Sequence, residues 1–146
     1  MEIVYFSLGS NQGDREYNIR QAISLMDKAF GTPCSRLSSI IETQSWGFDG
    51  PAFLNCAAMY ELDGISPEET LLAIKDIEKA LGRTGMPEYD DGGRRIYRDR
   101  PIDIDILYFG DRKIDTPTLR IPHPLIGKRD FVKIPLREIC SHDEDK

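Results

Sequence analysis

This sequence predicts an α+β fold in which helices pack on one face of an antiparallel sheet. Apolar segments with the two-residue alternation of strands are interleaved with segments of helical period, in the order β-α-β-β-α-β. The second and third strand segments follow one another with only a loop between them, which makes them natural antiparallel partners. No repeat or low-complexity linker divides the chain. Its 146 residues are therefore expected to form one domain over 1–140, with the polar SHDEDK of 141–146 as a flexible tail.

The first strand is read in Ile3 to Leu8, and it breaks at the glycine-rich turn GSNQGD. Asp14 is placed to cap a helix in which Ile19, Ile23, Met26 and Phe30 recur at helical spacing, and Gly31 and Pro33 end it. RLSSIIET, residues 36–43, reads as the second strand. FLNCAAMYEL, residues 53–62, is apolar on nearly both faces and belongs at the centre of the sheet. Ser66, Pro67 and Glu69 supply the cap, first-turn proline and capping box of a second helix that runs to Leu81 and stops at Gly82. A strand over Ile102 to Phe109 then turns at GDRK into a short companion near Ile114, an extra hairpin strand. Such an order is that of a ferredoxin-like, split βαβ sandwich.

Composition narrows the function. A net charge of −6 speaks against a broad nucleic-acid surface, because phosphate-backbone affinity comes from clustered Lys and Arg. A local basic site for one polyphosphate is still compatible with it. The three cysteines, Cys34, Cys56 and Cys140, are widely spaced with no C-x-x-C pair, as expected of reduced packing residues in a cytoplasmic protein. Neither a basic leader nor an apolar run near the ~20 residues of a membrane helix is present.

The chemistry concentrates in RDRPIDIDILYFG, residues 98–110. On a strand, Asp103 and Asp105 project from one face while Ile102, Ile104 and Ile106 project from the other. The α-carbons of two such aspartates lie ~6.6 Å apart, a span over which carboxylates can share two magnesium ions with a substrate's phosphates. The alternative is an ordinary half-exposed edge strand. Arg83, Arg94, Arg95, Arg98 and Arg100 weigh against that, because they crowd the long segment 83–100 just before the pair, and guanidinium forks match phosphate oxygens. Irregular segments of that length inside compact domains tend to be lids or binding loops. His123 stands between Pro122 and Pro124, with Lys128 and Arg129 behind it, a setting that suits a nucleotide contact. Trp46, Phe48 and Phe53 cluster before the third strand beside Asn55, a polar residue on an apolar strand that needs a partner if buried. A flat heterocycle with amide-like edges would supply one.

In order along the chain, SLGSNQGD, FLNCA, the GR after the second helix, RPIDIDILYFG and IPHPLIGKRDF resemble the hydroxymethyldihydropterin pyrophosphokinases of folate biosynthesis. The resemblance implies transfer of pyrophosphate from ATP, as co-substrate, to the hydroxymethyl group of a reduced pterin, giving AMP. It implies that Asp103 and Asp105 bind two Mg2+ ions, and that Arg83 and Arg100 act catalytically on the transferring phosphates. By the same resemblance Glu78, Arg100, Ile106, His123 and Arg129 fall on the ATP side, and Thr43, Trp46, Phe53, Asn55 and Phe131 on the pterin side. Tyr97, Arg98 and Asp99 depart from the family's usual aromatic-Gly-Pro, and Lys75 stands where a glutamine is frequent. An RNA-binding module shares the order of elements. It would want exposed aromatics on the central strands, where NCAAMYEL offers small and acidic residues.

Overall fold

The computed structural model describes residues 2–43, 52–82, 88–89, 95–96, 102–124, 126 and 130–140. Strand β1 (Glu2–Ser10) and helix α1 (Arg15–Phe30) are followed by strands β2 (Arg36–Leu37), β3 (Ile41–Thr43) and β4 (Phe53–Leu62). Helix α2 (Pro67–Ala80) precedes a small ribbon of β5 (Glu88–Tyr89) with β6 (Arg95–Ile96). Strand β7 (Asp103–Phe109), a second ribbon of β8 (Ile114–Asp115) with β9 (Arg120–Ile121), and helix α3 (Asp130–Ile139) complete the order.

The helix ends form as their sequences dictate. Asp14 accepts the Tyr17 amide at 3.1 Å, and Gly31 closes α1 with φ 70°. At α2, Ser66 and Glu69 cap each other's amides reciprocally at 3.0 Å. The main sheet runs β2-β4-β1-β7 with β3 also on β4, and every pairing is antiparallel. Strand β4 is central, as its apolar faces require.

Each sheet face is buried, to different depths. Val4, Phe6 and Leu8 of β1, Cys56, Ala58 and Tyr60 of β4 and Ile104, Ile106 and Phe109 of β7 pack under α1 and α2 in the larger core. Burial pushes the Cys56 thiol up to about 12, so it is a protonated packing group. On the opposite face Tyr5, Ala57, Met59 and Leu107 meet Val132, Leu136, Ile139 and Cys140 of α3 and the residue after it. No helix among the described residues is long and apolar enough to cross a membrane.

Three features correct the sequence reading. Helices lie on both faces, not one, because α3 covers part of the second. Residues 36–43 are two short strands, since the register gains one residue between Leu37↔Ala58 and Ile41↔Asn55. Ser38 sits in that bulge, where its hydroxyl accepts the Ala57 amide at 2.8 Å and its own amide donates to the Ala57 carbonyl at 2.9 Å. The companion near Ile114 does not pair with β7; Ile114 pairs with Ile121, and the hairpin is a separate ribbon. Within 83–100 only the β5–β6 ribbon is described, so the expected lid, like the 141–146 tail, lies otherwise outside the described residues.

Candidate active site

Three neighbouring strands assemble the site at one end of the sheet. Residues opposite one another in an antiparallel pair project to the same face. Asn55, Gly9 and Asp103 form one such row across β4, β1 and β7, and Ala57, Ser7 and Asp105 form the next. Met59 and Tyr5, one row further along, lie under α3. With strands ~4.8 Å apart, Asn55 and Asp103 stand about 10 Å from each other across Gly9.

Gly9 lets Asn55 and Phe53 close over the middle of that row. A Cβ there would stand 2.8 Å from Asn55 Oδ1 and 3.4 Å from the Phe53 ring. Asn55 is 3 % exposed, and its side-chain amide donates to Thr43 Oγ1 at 2.7 Å. Its Oδ1 is thereby turned toward Gly9. The partner the sequence demanded for a buried Asn55 is thus in part Thr43, which stands opposite Phe53 in the β3–β4 register and reaches Asn55 on the diagonal. Next to this edge, Arg15 at the start of α1 donates to the Ala52 carbonyl at 2.8 Å and pairs with Glu42 at 3.0 Å. It ties the end of β3 to the start of β4.

Asp103 and Asp105 are both partly exposed, whereas Ile102, Ile104 and Ile106 are buried. The expected alternation of faces holds on an edge strand. Beside the pair, His123 donates its backbone N–H to the Leu107 carbonyl at 3.0 Å, and its Nε2 stands 3.9 Å from Asp105 Oδ1. Burial lowers the His123 pKa below its usual value against the upward pull of Asp103, so the imidazole is neutral at neutral pH. A cleft of about 270 Å³ opens along β7 between α2 and the second ribbon, with Lys75, Asp105, Ile106, Thr118, Arg120 and His123 in its wall.

Comparison with known proteins gives this arrangement its context. The family model for 7,8-dihydro-6-hydroxymethylpterin-pyrophosphokinase matches residues 5–141. The chain belongs to this family. A 2-amino-4-hydroxy-6-hydroxymethyldihydropteridine pyrophosphokinase of Porphyromonas gingivalis is 40% identical over 142 residues, covering 96% of this chain and 92% of the relative. The enzyme of the same name from Bacillus subtilis is 38% identical over 97% of this chain and 80% of its own length. A mitochondrial folate synthesis bifunctional protein of Pisum sativum is 42% identical over 96% of this chain, which corresponds to 25% of that longer protein. This member of the family is accordingly an ATP-dependent pyrophosphokinase of folate biosynthesis.

In this pyrophosphokinase the described site residues fall into two groups. Thr43, Phe53 and Asn55 gather on one side of Gly9, and Asp103, Asp105 and His123 on the other. Glu78 and Ile106, expected on the ATP side, are 2 % and 3 % exposed. Ile106 reaches the cleft wall, while Glu78 is enclosed between α2 and β7. Arg83, Arg100, Trp46 and Arg129 lie outside the described residues, as does the side chain of Phe131. Gly9 and Ser7 were not singled out by sequence, although GSNQGD flagged their neighbourhood; Thr118 and Arg120 carried no signal beyond a polar loop.

The two carboxylates suit magnesium. Their donors are all oxygen and partly exposed, and among the described residues no group of three or more His, Cys, Asp or Glu closes a cage around a cation. Magnesium is commonly held in this way, by one or two carboxylates together with waters and substrate phosphates.

Proposed function

We propose that the Asn55–Gly9–Asp103 row is the active site for the transfer this family catalyses, with 6-hydroxymethyl-7,8-dihydropterin on the Asn55 side and the ATP triphosphate on the Asp103 side. The hydroxymethyl oxygen attacks the β-phosphorus, the bond from that phosphorus to the bridging α–β oxygen breaks, and AMP leaves with the oxygen. The hydroxyl proton passes to solvent. What carries the reading is the row itself, in which Gly9, with no side chain, separates a heterocycle-reading amide from a carboxylate pair by about 10 Å.

Each residue's task follows from its place. Phe53 offers a stacking face, and Asn55 and Thr43 read the polar edge of the ring; Trp46 and Phe131 are assigned to the same pocket by motif. Asp103 and Asp105 would hold two Mg2+ ions on the triphosphate. Bound there, magnesium would neutralise charge on the phosphates, while Asn55, Thr43 and Phe53 would hold the pterin with its hydroxyl toward them. Ile106 and His123 wall the nucleotide cleft, with Arg129 assigned to it by motif. Arg83 and Arg100 are assigned to the charge that grows on the transferring group and on AMP. No described side chain is placed as a general base, and positioning with electrostatics does most of the work.

The strand order β2-β4-β1-β7 supports a ferredoxin-like architecture, and two cores sharing one sheet support a single domain over 1–140. The free thiols Cys34, Cys56 and Cys140 suit a reducing cytoplasm. The substrates are small molecules. An RNA-binding role is disfavoured because α3 covers part of the sheet face that such a module exposes. Incubating the protein with ATP, Mg2+ and the reduced hydroxymethylpterin tests the assignment: AMP should appear only when all three are present. Pterin-independent ADP, or salt-sensitive RNA retention on filters without AMP, would refute it.

A further inference from the structure

Glu78 is a carboxylate almost wholly withdrawn from water, on helix α2, which packs on the strand that carries the two aspartates. Its side chain is 2 % exposed, Oε2 accepts the Ile104 amide at 2.8 Å, and Oε1 stands 3.4 Å from Lys75 Nζ. Burying a carboxylate is costly unless it is paired and hydrogen-bonded, so a side chain of this kind is retained for what it holds. Ile104 lies between Asp103 and Asp105. It faces Leu8 across the β1–β7 pairing, yet its N–H turns away from β1 to reach α2. Among the described residues, strand β7 has no further strand of the main sheet on that side. An apolar residue at position 78 would leave a buried amide donor unpaired midway between the two aspartates.

We propose that Glu78 is a positioning residue: through the Ile104 amide it fixes the backbone from which Asp103 and Asp105 project, and so sets the spacing of the carboxylates that receive the metal–triphosphate. This rests on the assignment of those aspartates to Mg2+. Reach, not charge, is the property that matters. Lys75 compensates the charge from the half-exposed cleft side, while the hydrogen bond to Ile104 depends on the length of the side chain.

Two near-isosteric variants separate these properties. Glu78→Gln keeps the length and one acceptor oxygen but loses the charge. Glu78→Asp keeps the charge but draws the carboxylate back by one methylene. Calorimetric titration of Mn2+ with a non-hydrolysable ATP analogue into each folded protein should show the Asp variant weakened about tenfold and the Gln variant about twofold. The Mg2+ concentration for half-maximal turnover should shift in the same order, with KM for the pterin unmoved. The reverse order, with Gln weaker than Asp, would overturn the proposal in favour of a direct electrostatic contact. Equal wild-type binding in both, with only the melting temperature lowered, would overturn it in favour of a purely structural role. Should the Asp variant fail to fold, the Gln variant decides alone, and a tenfold loss there refutes the proposal. Asp103→Asn guards the premise: if it binds Mn2+ and analogue as wild type does, the metal assignment itself has failed, whatever Glu78 does.

Discussion

The two faces of the sheet are built from the same three strands and solve opposite problems. On the α1–α2 face, Leu8, Cys56 and Ile104 are 0–1 % exposed and close-packed. On the other face, the corresponding stretch carries Asn55, Gly9, Ser7, Asp103 and Asp105, and the apolar cover of α3 falls on the Tyr5–Met59 end. One face maximises burial. The other spends part of its area on polar groups, a buried amide beside a bare glycine and two partly exposed carboxylates, and like charges two residues apart repel rather than stabilise. Stability and chemistry are thus divided by strand parity, and substitutions on the two faces should separate in their effects.

The largest separation is expected at the carboxylates. Asp103→Ala or Asp105→Ala should reduce kcat more than tenfold, a barrier rise above ~1.4 kcal/mol, while the ligand-free melting temperature stays level or rises. A loss of turnover accompanied by an equal loss of stability would erase the distinction between the faces. Gly9→Ala comes next. The added methyl must displace Asn55 or Phe53, so KM for the pterin should rise about tenfold and KM for ATP less than twofold in steady-state assays. An equal rise for both substrates would place the pterin elsewhere.

Phe53→Ala and Asn55→Ala should each weaken pterin binding by about 1 kcal/mol or more and spare ATP binding in calorimetric titrations. The Asn55 variant also removes the hydrogen bond to Thr43 Oγ1, so its stability should fall a little further than that of the variant at half-buried Phe53. The smallest effect belongs to a site removed from both faces' chemistry. Ser38→Ala removes the hydroxyl that accepts the Ala57 amide in the β2–β3 bulge and should cost about 1 kcal/mol in denaturant unfolding, with both KM values unchanged.

What the sequence made legible follows the same division. Local rules sufficed for the capped helices and the alternation of β7, because Asp14, Ser66 and Asp103 to Ile106 act through near neighbours in the chain. Helix α3 escaped because Pro135 interrupts an otherwise helical spacing of Val132, Leu136, Ile139 and Cys140, and proline removes an interior hydrogen bond. The broken second strand escaped because a serine hydroxyl replaces a ladder contact, which period alone does not register. At the site, residue types marked Asp103, Asp105 and Asn55. The role of Gly9 depends on which residues stand opposite it, and register between strands distant in sequence is a tertiary property. Glu78 was visible as an acidic residue of a helix, but its burial against Ile104 comes from the packing of α2 on β7.

The central claim, that the partly exposed carboxylates of β7 hold the metal ions of the triphosphate, is tested most directly by counting ions. Electron paramagnetic resonance of Mn2+ titrated into the protein with a non-hydrolysable ATP analogue and the pterin should show two tightly bound ions per chain in the wild type and fewer in Asp105→Asn. Two ions in both proteins, or none above those bound by free analogue, would contradict the account.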